Sequence, residues 1–337
     1  MSVGSHTIPR FYLEQFANPA RGKGKPGRVW VYQKGKQAQL RATKAQGYEN
    51  GYFGFVRSDG SLDESLEKHL AKLENECNDI LVCSKSKVCD LQSLANRNTL
   101  AFYAALLFHR ATSQRRFTSG NRLKIQEPFS KLASHEDYIQ DVAEHYTEST
   151  GERVTPEQIR QIFQKHVGQL SQKDSIRNSF IEELLFHAEI TKSEFVEKPW
   201  QVWEAPSGAE FVTSDNPVVT FVRLTEELWH PGHGFRKPDV VVAFPLAPTA
   251  CLTMGIGGQE FRNVDQTTVM RLNEQVIRAS DRFVYAKVCV EKIAQMVEEF
   301  GRTSVPGENA FLGPFPDEKQ IEEYMRRKLG IRRRAAR

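Results

Sequence analysis

The chain has 337 residues, 39% of them hydrophobic and 26% charged, with a mean hydropathy of −0.51 and a formal net charge of +4. That balance gives a folded core with a polar surface, and no apolar run approaches the ~20 residues of a membrane span. The opening Met1-Ser-Val-Gly-Ser-His-Thr-Ile-Pro9 lacks the basic and apolar regions of a secretory signal, and Cys77, Cys83, Cys89, Cys251 and Cys289 show no CxxC spacing. The expectation is therefore a cytoplasmic protein with reduced thiols, no membrane partner and no zinc site.

The positive charge is concentrated at one end. Arg326, Arg327, Lys328, Arg332, Arg333, Arg334 and Arg337 lie within residues 325–337, and without these seven the remainder carries −3. Such a segment binds phosphate backbones in a salt-dependent way, or is simply a solvated helix end.

Taken in order, His6-Thr-Ile-Pro9-Arg10-Phe11-Tyr12-Leu13 starts a short helix at Pro9 that buries Phe11, Tyr12 and Phe16 and ends at Asn18-Pro19. His6 then lies just before a helix start, either as a site histidine or as a structural one. Val29-Trp-Val-Tyr32, a turn at Gly35 and Ala38-Gln-Leu40 predict a small hairpin, and Tyr48 to Phe55 an irregular aromatic segment. From Leu62, the apolar positions Leu66, Leu70, Leu73, Cys77, Ile80 and Leu81 predict an amphipathic helix. Glu67 and Glu74 share one side of it, a spacing that suits a divalent metal or an ordinary solvated face.

The segment Leu94 to Thr112 is apolar nearly all round between Leu100 and Phe108, which marks a buried central helix. His109 and Arg110 follow directly, with Arg115 and Arg116 beyond. A guanidinium at that place is a clamp for carboxylate or phosphate, or half of a structural ion pair. Residues 126–195 read as helices broken near Ser149-Thr-Gly151 and Thr155-Pro156, with scattered histidines in no ligand spacing.

At Pro199 the pattern turns to short β-rich pieces at 200–203, 210–213, 218–222, 240–244, 250–254 and 282–286, with helices at 267–279 and 317–329. Consecutive strands without crossover helices predict a mostly antiparallel sheet. The loop Trp229-His230-Pro231-Gly-His233 reads as a surface loop before a metal site. Thr213-Ser214-Asp215-Asn216-Pro217, set between two apolar runs, has the form of a polar loop presented by a rigid sheet, or of an Asx-type turn whose aspartate accepts backbone N–H bonds. The fold class expected is α+β: an N-terminal hairpin, a helical middle and a C-terminal antiparallel sheet.

Four stretches together resemble the DUF4238 family: His6 to Ala17, Arg110, Phe211 to Pro217, and Phe244-Pro245-Leu246. The resemblance runs to about Tyr285 and implies one co-folded domain over 1–324, with a helical insertion near 120–196 and a basic tail at 325–337. The matched polar positions are His6, Arg110, Ser214, Asp215 and Asn216. One expectation is a phosphate-ester hydrolase or nuclease with His6 as general acid/base, Asp215 as base or metal ligand, Arg110 as clamp and Asn216 as donor, a divalent metal being compatible with the set. Arg10, His109, Arg115 and Ser214 then serve as ligand-binding residues, with nucleic acid or another phosphorylated ligand as partner. The alternative expectation is a non-catalytic sensor or binding protein for an anionic ligand. The sequence has neither GxSxG nor a GK[ST] phosphate loop, which argues against serine-hydrolase and P-loop chemistry.

Overall fold

The computed structural model describes residues 4–19, 25–85, 93–170, 172–223, 229–231, 235, 237–303 and 318–331. The chain divides into two compact units, one of residues 1–115 with 181–306 and one of residues 116–180 with 307–337. The mixed, mostly antiparallel α+β architecture matches the class expected from the sequence.

The larger unit begins with β1 (Gly4–His6) and the short α1 (Arg10–Glu14), which starts after Pro9. β2 (Arg28–Gln33) and β3 (Lys36–Ala42) form the predicted hairpin, and β4 (Tyr48–Asn50) returns to pair with β1. A two-stranded pair, β5 (Phe55–Val56) with β6 (Leu62–Asp63), precedes α2 (Ser65–Lys85), so the helix read from Leu62 starts at Ser65 instead. Asp63 accepts the Ser65 N–H at 2.8 Å, a capping bond that sets the later start. α3 (Leu94–His109) is the buried central helix, with Leu100, Ala101 and Tyr103 to Leu107 all inside.

The helices α4 (Thr112–Ser134), α5 (Glu136–Thr150), α6 (Pro156–Leu170) and α7 (Lys173–Glu197) follow. After them come β7 (Trp200–Glu204), β8 (Thr213–Ser214), β9 (Val219–Arg223), β10 (Trp229–Pro231), β11 (Val240–Ala247), β12 (Ala250–Met254) and β13 (Phe261–Asn263). The chain continues with α8 (Gln266–Ala279), β14 (Val284–Ala286), α9 (Glu291–Phe300) and α10 (Glu318–Leu329). His230 lies in β10 rather than in a loop, and His233 falls outside the described residues.

Two sheets organise the larger unit. One has the order β10-β9-β11-β12-β7-β13 and the other β3-β2-β14-β8. All pairings are antiparallel except β13 with β7. Every residue of β11 and β12 is buried, so both faces of these central strands are covered. On one face Val241, Ala243 and Cys251 join a core with Leu272 and Val276 of α8 and Ile293 and Val297 of α9. On β11, Phe244 instead stacks on Tyr12 of α1 at 5.3 Å and meets Tyr103 of α3 at 6.1 Å. Burying side chains of this size contributes roughly 1.5–3 kcal/mol each, before the entropy of ordering them.

The second unit is helical and has its own core. Leu132, Tyr138, Ile139, Ala143 and Ile159 close it, with Phe163 and Met325 packed against them. The boundary read at 324/325 falls inside α10, and Ile331 beyond that helix is buried at 7% exposure. The start of the basic segment is thus part of a packed helix.

Candidate functional site

α3 carries its apolar run to Leu107 and then places Arg110 at its C-cap, 3% exposed. A buried guanidinium is tolerated only when its donors are matched. Arg110 Nε donates to the Thr7 carbonyl at 2.9 Å, one terminal nitrogen donates to the His6 carbonyl, and the other meets Glu74 Oε1 at 3.2 Å. Its face lies 5.0 Å from the Phe53 ring, and its own carbonyl accepts from the Tyr52 hydroxyl at 3.2 Å. Arg110 therefore ties α2, α3 and the start of the chain together. Glu74, a metal candidate by spacing, is the ion-pair partner of Arg110.

The segment leading to α1 is held just as closely. His6 pairs with Tyr48 across β1 and β4, and its ring meets the Tyr48 ring edge-on at 5.6 Å. His6 Nδ1 lies 3.2 Å from the Gln46 carbonyl. A carbonyl only accepts, so Nδ1 carries the proton and Nε2 is the basic nitrogen, without a partner among the described residues. Thr7 N–H donates to the Gly47 carbonyl at 2.7 Å. Gly47 has φ of +61°, and a Cβ there would stand 2.6 Å from Ile8 Cγ2, so the close approach of the two segments needs glycine.

Thr213 to Pro217 is built as a turn closed on its own chain. Thr213 Oγ1 lies 2.7 Å from the Tyr12 hydroxyl, which donates to the Pro245 carbonyl at 2.6 Å. Proline offers no N–H to a strand partner, and β11 carries a register shift between Pro245 and Ala247 at this point. Ser214 Oγ donates to the Asn216 carbonyl at 2.8 Å and accepts the Asn216 N–H at 3.2 Å. Asp215 Oδ1 accepts the N–H groups of Asp281 and Arg282 at 2.9 and 3.2 Å, and Oδ2 accepts that of Phe283 at 2.9 Å. Asn216 Nδ2 donates to the Ala279 carbonyl at 3.1 Å. The local turn is closed by Ser214, whose Oγ accepts the N–H two residues on, while Asp215 holds a loop 66 to 68 residues away in place of the expected Asx turn.

That loop brings in a second carboxylate. Asp281, 1% exposed, accepts the Ser113 N–H at 2.8 Å through Oδ2. The first N–H groups of α4 have no partners within the helix, and Asp281 supplies an acceptor from 168 residues away. Burial, and next the charge of Asp281, push the Asp215 carboxyl up to about 7, against the pull of its three backbone N–H bonds. Burial likewise raises Asp281. Neither forms an ion pair among the described residues.

The flanking candidates are separate. His109 Nε2 lies 2.8 Å from Thr191 Oγ1, its ring stacks on His187 at 5.7 Å, and burial followed by the His187 charge lowers it to about 4. Arg115 pairs with Glu49 at 3.0 Å and lies over Tyr52, while Arg10 pairs with Glu14 at the surface. Two groups result: His6 with Arg110, and Ser214, Asp215 and Asn216 with the 279–283 loop. No described contact joins them into one pocket. Asp281 and Ser113 are partners that the sequence reading left out, while Glu74 was read as a metal candidate or solvated face and Tyr12 only as a buried aromatic. The only cue for Asp281 was a Ser-Asp pair immediately after a helix end, repeating that at 214–215. Among the described residues no group of three or more His, Cys, Asp or Glu side chains is placed to hold a metal, and no helix is long and apolar enough to cross a membrane.

An α+β unit with a buried arginine strut and an aspartate-held turn is the class of structure defined so far. The model of the family described as a protein of unknown function, DUF4238, matches residues 5–288, and the chain belongs to that family. No curated protein and no solved structure matches it.

Proposed function

We propose that the chain is a non-catalytic binding protein whose partner is a polyanion, nucleic acid being the chemistry that fits, held through the arginine-rich end of its helical unit. The observation that carries this reading is the anchoring of α10. Arg326 is 8% exposed and pairs with Asp141 at 2.8 Å and Glu322 at 2.6 Å, with its guanidinium 5.1 Å from the Tyr138 ring. Ile331 is buried, and the sequence continues directly with Arg332, Arg333, Arg334 and Arg337. Arginines that follow a fixed anchor meet a phosphate backbone from a defined starting point.

The residue set expected for catalysis also favours binding over chemistry. Arg110 and Asp215 engage groups of their own chain, which leaves neither to clamp or activate a substrate. Phosphate-ester hydrolysis retains one supporting observation, the Nε2 of His6, which has no partner among the described residues while Nδ1 is held by the Gln46 carbonyl.

Fluorescence anisotropy with a labelled oligonucleotide tests the proposal. About four phosphate contacts predict an affinity loss on the order of a hundredfold between 50 and 200 mM salt. Replacing Arg332, Arg333 and Arg334 by alanine is expected to flatten that dependence. Binding that survives the replacement unchanged, or Mg²⁺-dependent cleavage of the oligonucleotide that is lost in His6→Ala, rejects the reading.

A further inference from the structure

The turn at Asp215 gathers three buried polar atoms that have no well-aligned hydrogen bond among the described residues. Among the described residues Asp281 Oδ1 and Asn216 Oδ1 are buried without a hydrogen-bond partner, and Ser113 Oγ faces the Asp281 carboxyl without a well-aligned bond of its own, on side chains that are 1%, 8% and 3% exposed. The contacts around them set their proximity. The Asp281 N–H lies on Asp215 Oδ1, Asp281 Oδ2 lies on the Ser113 N–H, and the Asn216 amide is fixed to the carbonyl of Ala279, two residues before Asp281. Ser113 acts on the Asp281 carboxyl through its side chain as well as its backbone.

Electrostatics make the arrangement incomplete as it stands. Asp281 follows the C-terminal end of α8 by two residues, where unpaired carbonyls and the helix dipole place negative charge. Asp215 adds a second carboxylate. The Ser113 N–H at the start of α4 offsets part of this charge through Oδ2, and Arg302 acts on Asp281 from farther away. The Ser113 hydroxyl and the Thr112 N–H also act on this carboxyl, yet Oδ1 has no well-aligned hydrogen bond among the described residues, and a buried carboxylate oxygen in that state is costly.

We propose that Asp281 Oδ1, Asn216 Oδ1 and Ser113 Oγ are oxygen ligands of one hard divalent cation beside Asp215, with Ca²⁺ preferred over Mg²⁺. One carboxylate, one amide carbonyl and one hydroxyl form an all-oxygen, irregular donor set. Ca²⁺ accepts such a set, whereas Mg²⁺ demands near-octahedral geometry and keeps its waters. The cation would neutralise the α8 end and lock the 279–283 loop against the start of α4. The inference does not depend on the polyanion reading.

The test uses the full chain, stripped with EDTA and titrated separately with Ca²⁺, Mg²⁺ and Mn²⁺, followed by thermal unfolding and calorimetry. The expected result is one Ca²⁺ per chain with a rise in Tm, weakened on the order of tenfold in Ser113→Ala and abolished in Asp281→Asn. Asn at 281 keeps an acceptor for the Ser113 N–H, and circular dichroism checks that the variant folds. If it does not, Ser113→Ala, which retains that N–H, carries the comparison alone. No Tm response to millimolar Ca²⁺, Mg²⁺ or Mn²⁺, or a response undiminished in the folded variants, overturns the assignment.

Discussion

Replacing Arg110 by lysine keeps a positive charge and removes the planar fork. Three nitrogens of Arg110 serve the Thr7 carbonyl, the His6 carbonyl and Glu74, all beside a side chain that is 4% exposed. An ammonium cannot reach these acceptors in one plane, so at least one carbonyl and part of the Glu74 contact are lost. At about 1–3 kcal/mol for each buried acceptor left unmatched, Arg110→Lys is expected to cost about 2–3 kcal/mol, and Arg110→Met about 3–5 kcal/mol. Glu74 is 23% exposed and gains water when the arginine is removed, which holds the methionine variant to the lower part of that range. Trp30, Trp200, Trp203 and Trp229 all lie in the larger unit, so tryptophan fluorescence during urea unfolding reports the unit that contains Arg110. A stability for Arg110→Lys within about 0.5 kcal/mol of the parent would refute the strut and leave the guanidinium free to act on a ligand.

Tyr12→Phe removes the donor to the Pro245 carbonyl and the partner of Thr213 Oγ1, and is expected to lower stability by about 1–3 kcal/mol in the same fluorescence assay. His109 is neutral in the fold with its pKa lowered to about 4, below the ordinary value of 6.5, so the unfolded chain binds the proton first as pH falls. Its contribution is complete above pH 6.5 and is lost toward pH 4, about 3 kcal/mol in all; His109→Asn should flatten that part of the stability–pH curve, measured by urea unfolding at each pH. In the helical unit, Arg326→Met strands Asp141, which is 6% exposed, and is expected to cost about 3–5 kcal/mol, visible in far-UV circular dichroism while the tryptophan transition stays in place.

The helices and the hairpin were legible because their cause is local. Apolar spacing over 62–81 and the all-round apolar run at 100–108 impose helices whatever the rest does, and Asp63 shifts only where one begins. The strand expected over 210–213 is reduced to Thr213–Ser214 because the Val212 N–H goes to the Asn273 side chain at 2.9 Å and the Phe211 N–H to the Pro248 carbonyl at 2.8 Å. Neither competitor is visible in the strand's own residues. β13 escaped notice for the opposite reason: it is short, largely exposed, and joins the sheet in parallel through an edge. α9 was legible in principle, since Ile293, Met296 and Val297 have helical spacing, yet its apolar set is too small to stand out beside a β-rich region.

The polar positions of the site were visible by type, but their partners were not. Arg110 meets backbone carbonyls 103 and 104 residues away, and Asp215 meets N–H groups 66 to 68 residues away. Every residue except proline supplies such an N–H, and every residue supplies a carbonyl, so sequence gives no sign of which will be used. The same holds for Asp281, whose importance depends on reaching the start of a helix that closes far earlier in the chain.

The binding reading rests most directly on the salt dependence of oligonucleotide affinity, measured by anisotropy for the parent chain and for the alanine replacement of Arg332, Arg333 and Arg334. The account predicts steep weakening with salt in the parent and a shallower slope in the variant, with the oligonucleotide recovered intact. Equal slopes in the two proteins, or a cleaved oligonucleotide, would contradict it.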